Sequence, residues 1–154
     1  MPRAPFQVLV IPFRRDAGHI EYAVLRRDDL GAWQAVAGGG ETGETAAQAA
    51  TRETVEELSL DHPVPIYPLQ SHASIPARFF ADRENWPTGT YVITEHSFAA
   101  DLTGVPIALS TEHTAVQWLD YEAAKDTLTW DSNRTALGEL NERLECDDLP
   151  EPAK

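Results

Sequence analysis

The chain has 154 residues, 42% of them hydrophobic, with a formal charge of −13. That length fits one domain, and the apolar fraction supports an ordinary globular core. The acidic balance argues against a nucleic-acid-binding surface, which needs Lys and Arg in excess, but leaves room for a phosphate-bearing small molecule if a cation mediates.

A single cysteine, Cys146, excludes an intrachain disulfide and fits a reducing compartment. The apolar run near the N-terminus is too short to span a bilayer and lacks a small-residue cleavage site, so the expectation is a cytoplasmic protein without a membrane partner.

Residues 7–13 (QVLVIPF) are apolar and β-branched and read as a buried strand, with Pro12 near its end or on an edge. Asp16-Ala17-Gly18 signals a turn, and residues 20–25 read as the hairpin partner. Residues 33–36 suggest a brief strand, and the glycines at 38–40 suggest a loop where backbone bends or approaches something closely. A helix is expected from about Thr45 to 58, because Thr45 and Gln48 have capping-box spacing and 46–58 contains neither Gly nor Pro. Strands follow at 66–75, 91–102 and 114–119, with a long loop at 77–90. Helical spacing returns at 121–128 and 132–144. The expected class is α/β or α+β with a mixed sheet, one domain over 1–145, and an acidic, flexible tail at 146–154.

The stretch 38–60, GGGETGETAAQAATRETVEELSL, holds five glutamates, one arginine and no lysine. On a helical wheel Glu57 lies about 40° to one side of Glu53 and Glu56 about 60° to the other. Ala46, Ala49 and Ala50 share that side, while Ala47, Thr51, Thr54, Val55 and Leu58 form an expected core stripe opposite. A solvated acidic face is the ordinary reading of such a run. Here two features oppose it. Lysines are not interspersed, and Glu56 and Glu57 sit in the last turn, where the helix dipole disfavours them. Clustered carboxylates are relieved by a hard divalent cation, so a metal site is the physical reading preferred.

From Gly38, five residues lead to Glu44, and seven more to the run Arg52-Glu53-Thr54-Val55-Glu56-Glu57-Leu58-Ser59-Leu60. This closely resembles the Nudix box of the Nudix hydrolases. Two positions depart: Thr54 stands where the family has an aliphatic residue, and Ser59 where it has glycine. The resemblance implies an α/β/α sandwich with a mixed sheet and a loop-helix-loop box. It also implies cleavage of a nucleoside diphosphate linked to another group, using Mg²⁺ or Mn²⁺. By the same resemblance Glu53 and Glu57 hold metal, with Glu56 as a further ligand or base. Arg52 orients the carboxylates, Gly38 permits the turn that presents backbone to metal or phosphates, with Gly39 in the same loop, and Glu44 braces that loop.

Further stretches, including LRRDDLGAWQAVAGGG, STEHTAVQWLDYEAA and TWDSNRTAL, are similar to the bacterial dihydroneopterin triphosphate pyrophosphatases, a branch of that family. That similarity implies Glu112 as a metal ligand from outside the box, Arg26 as a phosphate contact and Ser132 at the substrate pocket. Ala37 replaces a hydroxyl-bearing residue of the branch. From the residues alone, Glu112 also reads as part of a surface turn and Arg26 as pairing with Asp28 or Asp29. Trp33 reads as a stacking platform or as core, and Trp118 and Trp130 as core. His72, His96 and His113 lack zinc-site spacing. Glu56 and Glu112 both stand as candidates for the proton acceptor.

The expected function is therefore a Mg²⁺-dependent pyrophosphohydrolase of a nucleoside-triphosphate-like substrate, such as dihydroneopterin triphosphate, acting as monomer or homodimer. The alternatives are another nucleoside diphosphate derivative (dinucleoside polyphosphate, oxidised dNTP or nucleotide sugar) or a silent nucleotide-binding domain. No glutamate of the box is missing, as it would be in most silent members.

Overall fold

The computed structural model describes residues 2–154. Seven strands form one mixed sheet, written in chain order: β1 (Arg3–Asp16), β2 (His19–Arg27), β3 (Trp33–Gln34), β4 (Val36–Glu41), β5 (Ile66–Pro76), β6 (Val92–Asp101) and β7 (His113–Leu119). The helices are α1 (Ala46–Leu58), α2 (Tyr121–Thr127) and α3 (Asp131–Glu145). The strand order is β3-β2-β1-β6-β5, with β4 added to β1 and β7 to β2. Only the β1–β6 pairing is parallel.

β1 is the hub of the sheet and is longer than its apolar run. Its first part, Arg3 to Val10, pairs with β4, and its last part, Phe13 to Asp16, pairs with β2. Pro12 therefore does not end the strand, nor does it lie on an edge. It falls in the gap between those two partners, where β1 needs no ladder N–H on that side. β1 alternates cleanly: Leu9, Ile11 and Phe13 face one core, and Val8 and Val10 face the other. The first core is closed by α2 and α3 through Ala124, Leu137 and Leu140, and the second by α1 through Ala49, Ala50 and Leu58. Helices on both faces of a mixed sheet make the α/β/α sandwich expected.

The segment 77–90 is not structureless. It holds two short 3₁₀ turns, Ala77–Phe79 and Ala81–Asn85, and buries Trp86, whose indole N–H donates to the Arg3 carbonyl at 2.8 Å. Beyond α3 the chain lies along the domain: Leu149 packs on the first core and the Ala153 N–H donates to the Ile66 carbonyl at 2.7 Å. No helix among the described residues is long and apolar enough to cross a membrane.

Candidate active site

α1 is fixed at both ends by its own sequence. Thr45 Oγ1 accepts from the Gln48 N–H at 3.1 Å, and the Gln48 side chain accepts from the Thr45 N–H at 2.9 Å, completing a capping box. The helix stops at Ser59, whose φ of 52° is left-handed. The Leu60 N–H then returns to the Val55 carbonyl at 3.0 Å, as in a Schellman ending. Thr54 is fully buried, and its hydroxyl donates to the Ala50 carbonyl at 2.7 Å, so an aliphatic site accepts a polar atom without leaving it unpaired.

The carboxylate side of α1 is not opposite the core, as the wheel suggested. The buried residues are Ala49, Ala50, Thr54, Glu57 and Leu58. They span roughly half of the circumference, with Glu57 near the centre of the arc. Of the expected core stripe, Ala47, Thr51 and Val55 are only partly buried. The alanines let the helix backbone settle closely on the sheet, so Glu57 is carried inward with them. Glu56 points away, with its side chain 59% exposed.

Gly38, Gly39 and Gly40 lie inside β4, not in a loop, and none has a positive φ. Their use is space. A Cβ on Gly38 would overlap the Glu53 carboxyl, one on Gly39 the Arg3 guanidinium, and one on Gly40 the Phe6 ring. The bare strand lets two charged groups and an aromatic ring lie directly on its backbone.

Arg52 organises the carboxylates. It donates to both oxygens of Glu44, at 2.7 and 2.9 Å, to Glu53 at 2.8 Å, and to the Gly39 carbonyl at 2.9 Å. Glu44 in turn accepts from the Glu41 N–H at 2.8 Å, tying the β4–α1 connection to the helix. The Arg52 bond holds the Glu44 carboxyl below its usual range. Glu53 is raised by burial, against the pull of Arg52.

Glu57 has a different environment. It is 2% exposed, and neither of its oxygens has a hydrogen-bond partner. Burial, with Glu53 and Glu112 nearby, pushes its carboxyl up to about 10. Ligand atoms of Glu57, Glu112 and His113 lie within 4.8 Å of one another, and His113 Nε2 is 3.4 Å from Glu57 Oε1. Both ring nitrogens of His113 are buried and unpartnered, and burial lowers its pKa. A carboxylate this deep and this bare is costly unless a cation meets it. The donor set, carboxylate oxygens with one imidazole, fits a divalent metal ion.

A cleft of about 730 Å³ opens beside these groups, lined by Gly38, Gly39, Glu53 and Glu112 at one end. Ser132 and Ala37 line it as well, whereas Glu56, Glu57, Arg26 and Trp33 are not among its lining residues. Strand alternation turns Arg26 away, with its guanidinium over Gly31. Arg27 faces the cleft in its place and is paired with Asp29 at 2.7 Å. The aromatic roles exchange too. Trp33 packs against the first core, while Trp130, expected in the core, is 44% exposed and lines the cleft. Its indole N–H donates to Gln34 Oε1 at 3.1 Å. Trp118 is partly buried, with Arg14 stacked on its ring.

The cleft runs from Gly39 across its strand partner Gln7 to Glu95, and is lined there by Gln7, Ile75, Phe79, Glu95 and Asn133, none of which was singled out from the sequence. Each stands alone in its own strand, turn or helix. The one available signal was a charged residue at an inward position of an alternating strand, Glu95 in YVITEHSFAADL.

A family model described as the NUDIX domain matches residues 5–138. The dihydroneopterin triphosphate diphosphatase of Escherichia coli (strain K12) is 35% identical over 138 residues, which are 88% of this chain and 91% of that protein. Among solved structures, a NUDIX hydrolase from Listeria monocytogenes superposes with a TM-score of 0.86 at 49% identity, covering 95% of this chain and 98% of that one. The E. coli dihydroneopterin triphosphate pyrophosphohydrolase superposes at 0.71 with 31% identity, covering 90% and 97%.

Proposed function

The chain belongs to the Nudix hydrolase family, enzymes that cleave phosphoric anhydride bonds, and from that premise we propose a Mg²⁺-dependent pyrophosphohydrolase of a nucleoside-triphosphate-like substrate. The leading substrate is dihydroneopterin triphosphate, cleaved with release of pyrophosphate. The observation that carries the metal dependence is Glu57: two buried, unpartnered carboxylate oxygens beside Glu53, Glu112 and His113. The named activity of the 35% identical E. coli relative supports the substrate.

Glu53, Glu57 and Glu112 would hold the ion, with His113 behind Glu57. A bound divalent cation supplies charge neutralisation and Lewis-acid polarisation of phosphoryl oxygens. The chain supplies position. Arg52 keeps Glu53 and Glu44 in fixed rotamers, so the ligands need not reorganise as charge develops. Arg27, already on the cleft wall, offers positive charge to a polyphosphate that an acidic protein would otherwise repel. Glu56, turned outward by the helix and outside this ligand set, and Glu112, exposed on the cleft wall, when it does not hold the ion, are the two carboxylates that could take the proton of the attacking water.

The test is a panel of pterin and nucleoside triphosphates with Mg²⁺, scoring pyrophosphate against orthophosphate. Dihydroneopterin triphosphate is expected to give the highest kcat/KM, with pyrophosphate as product. If common dNTPs rank above it, the substrate assignment fails while the pyrophosphohydrolase stands. Turnover unaffected by EDTA would remove the metal dependence.

A further inference from the structure

Glu95 is the second buried carboxylate with an unpartnered oxygen, and the chemistry just described does not use it. It is 4% exposed and lines the cleft. Its Oε2 accepts from Gln7 Nε2 at 2.8 Å, and Oε1 has no partner. Gln7 is held in turn, because its Oε1 accepts from Arg3 Nη2 at 2.8 Å. Arg3 is fixed by its guanidinium over the Phe80 ring at 4.7 Å and by the space above Gly39. The relay from Arg3 through Gln7 sets the amide so that its N–H₂ faces Glu95. It also leaves one carboxylate oxygen as an acceptor with nothing to accept from.

The position suits a ring-binding group. Glu95 of β6 is in register with Gln7 of β1, and Gln7 with Gly39 of β4. Glu95 is therefore two strand spacings, roughly 10 Å, from the β4 edge where the metal carboxylates gather. That is the span from a reacting phosphate to a heterocycle across its sugar or side chain. The exposed aromatic side chains on the cleft, Phe79 and Trp130, offer faces for a planar ring.

We infer that Glu95 is a specificity-determining residue that reads the 2-amino-4-oxo-pyrimidine edge of a bicyclic ring, the edge shared by pterins and guanine. A carboxylate only accepts hydrogen bonds. This edge presents a ring N–H beside an exocyclic amine, two donors side by side, and both bonds would be charge-assisted. Adenine and cytosine place an acceptor next to their amine, and thymine flanks its N–H with two carbonyls. Each sets a lone pair against the carboxylate and leaves it buried and unpaired. The inference rests on the hydrolase reading for its setting, but ring recognition can be measured without turnover.

Equilibrium binding of neopterin monophosphate, dGMP and dCMP separates the two, alongside kcat/KM for dGTP and dCTP in the wild type, Glu95→Gln and Glu95→Ala. The expected result is that neopterin monophosphate and dGMP bind at least tenfold more tightly than dCMP, with that ratio falling toward one in both variants. The dGTP-to-dCTP ratio of kcat/KM should collapse in parallel, mainly through KM, while dCTP hydrolysis persists. Which of the two favoured ligands binds better says whether the ring is a pterin or a purine. Glu95→Gln keeps an oxygen for Gln7 and should melt no lower than wild type, so a loss of selectivity there is not a loss of fold. Unchanged selectivity in a folded Glu95→Gln would overturn the assignment. Equal binding of all three monophosphates by the wild type would do the same. Selective binding without any hydrolysis would uphold it and refute the hydrolase reading instead.

Discussion

The two ends of the cleft are built in opposite ways. The phosphate end comes from one contiguous piece of chain, β4 and α1, with Glu112 added from the turn before β7 and His113 from its first position. The ring end is assembled from β1, β5, β6 and α3, through Gln7, Ile75, Glu95 and Asn133, with Phe79 from a 3₁₀ turn. At the first end charge is concentrated and left for a cation to neutralise. At the second, Gln7 links Arg3 to Glu95, and two buried polar atoms stay unpaired, the donor Arg3 Nε and the acceptor Glu95 Oε1. On the reading proposed above, the difference would put the metal chemistry on one rigid helix and spread ring selectivity over elements that can change singly.

The largest expected effect lies at the deepest carboxylate. Glu57→Gln should lower Mg²⁺-dependent kcat by about 100-fold or more, because it removes a metal ligand and a charge together. The same change should stabilise the metal-free protein. The Glu57 carboxyl stands near 10 in the folded chain and at its ordinary value of 4.5 in the unfolded chain. It therefore costs nothing below the ordinary value, where both states are protonated, and costs more as pH rises toward the folded value. The melting advantage of Glu57→Gln without metal should grow between about pH 5 and 9. An advantage independent of pH would mean that Glu57 is not held protonated in the free site.

Next comes the group that orders the carboxylates. Arg52→Ala leaves Glu44 and Glu53 without their shared partner and should cost about 2–3 kcal/mol of stability and roughly 10- to 100-fold in activity. Arg52→Lys should recover little activity, since a point charge cannot make the forked contacts to Glu44, Glu53 and the Gly39 carbonyl. Full activity with lysine would show that charge alone, not geometry, matters at this end.

A smaller loss is expected from Gly38→Ala. The added methyl has to displace the Glu53 carboxyl, which should cost about tenfold in kcat, with Mg²⁺ half-saturation shifted upward. Gly38→Ala with unchanged kinetics would mean that β4 yields and that the close approach is not needed. The smallest effect tests the departure that ends the helix. Ser59→Gly relieves a left-handed residue and should raise stability by about 0.5–1 kcal/mol without changing turnover.

Much of the phosphate end was legible in the sequence because its determinants are local. The capping box at Thr45 and Gln48, the helix span 46–58 and the spacing of Arg52, Glu53, Glu56 and Glu57 all depend on residues a few positions apart. The glycines at 38–40 were legible as places of close approach but not as strand, since a bare strand and a turn look alike when only glycine is seen. Near misses elsewhere have other origins. Arg26 and Arg27 differ by one step of strand alternation, so a one-residue shift of phase in β2 reverses that choice. Trp130 stands just before α3, outside any strand, where no periodicity reports which way the ring faces.

The sequence by itself determined the helix at 46–58 and the crowding of its carboxylates, because periodicity and capping act over single turns of chain; the spacing of the box at 38–60 pointed to the family, and through that resemblance to the sandwich. Only the tertiary structure decided that Glu57 is buried rather than displayed, because the small alanines bring that face of α1 onto the sheet. It alone brought Glu95 beside Gln7, 88 positions away in the chain, through the parallel pairing of β1 with β6. No local pattern encodes that register; it exists only once both faces of β1 are covered and the strands have no other way to bury their apolar sides.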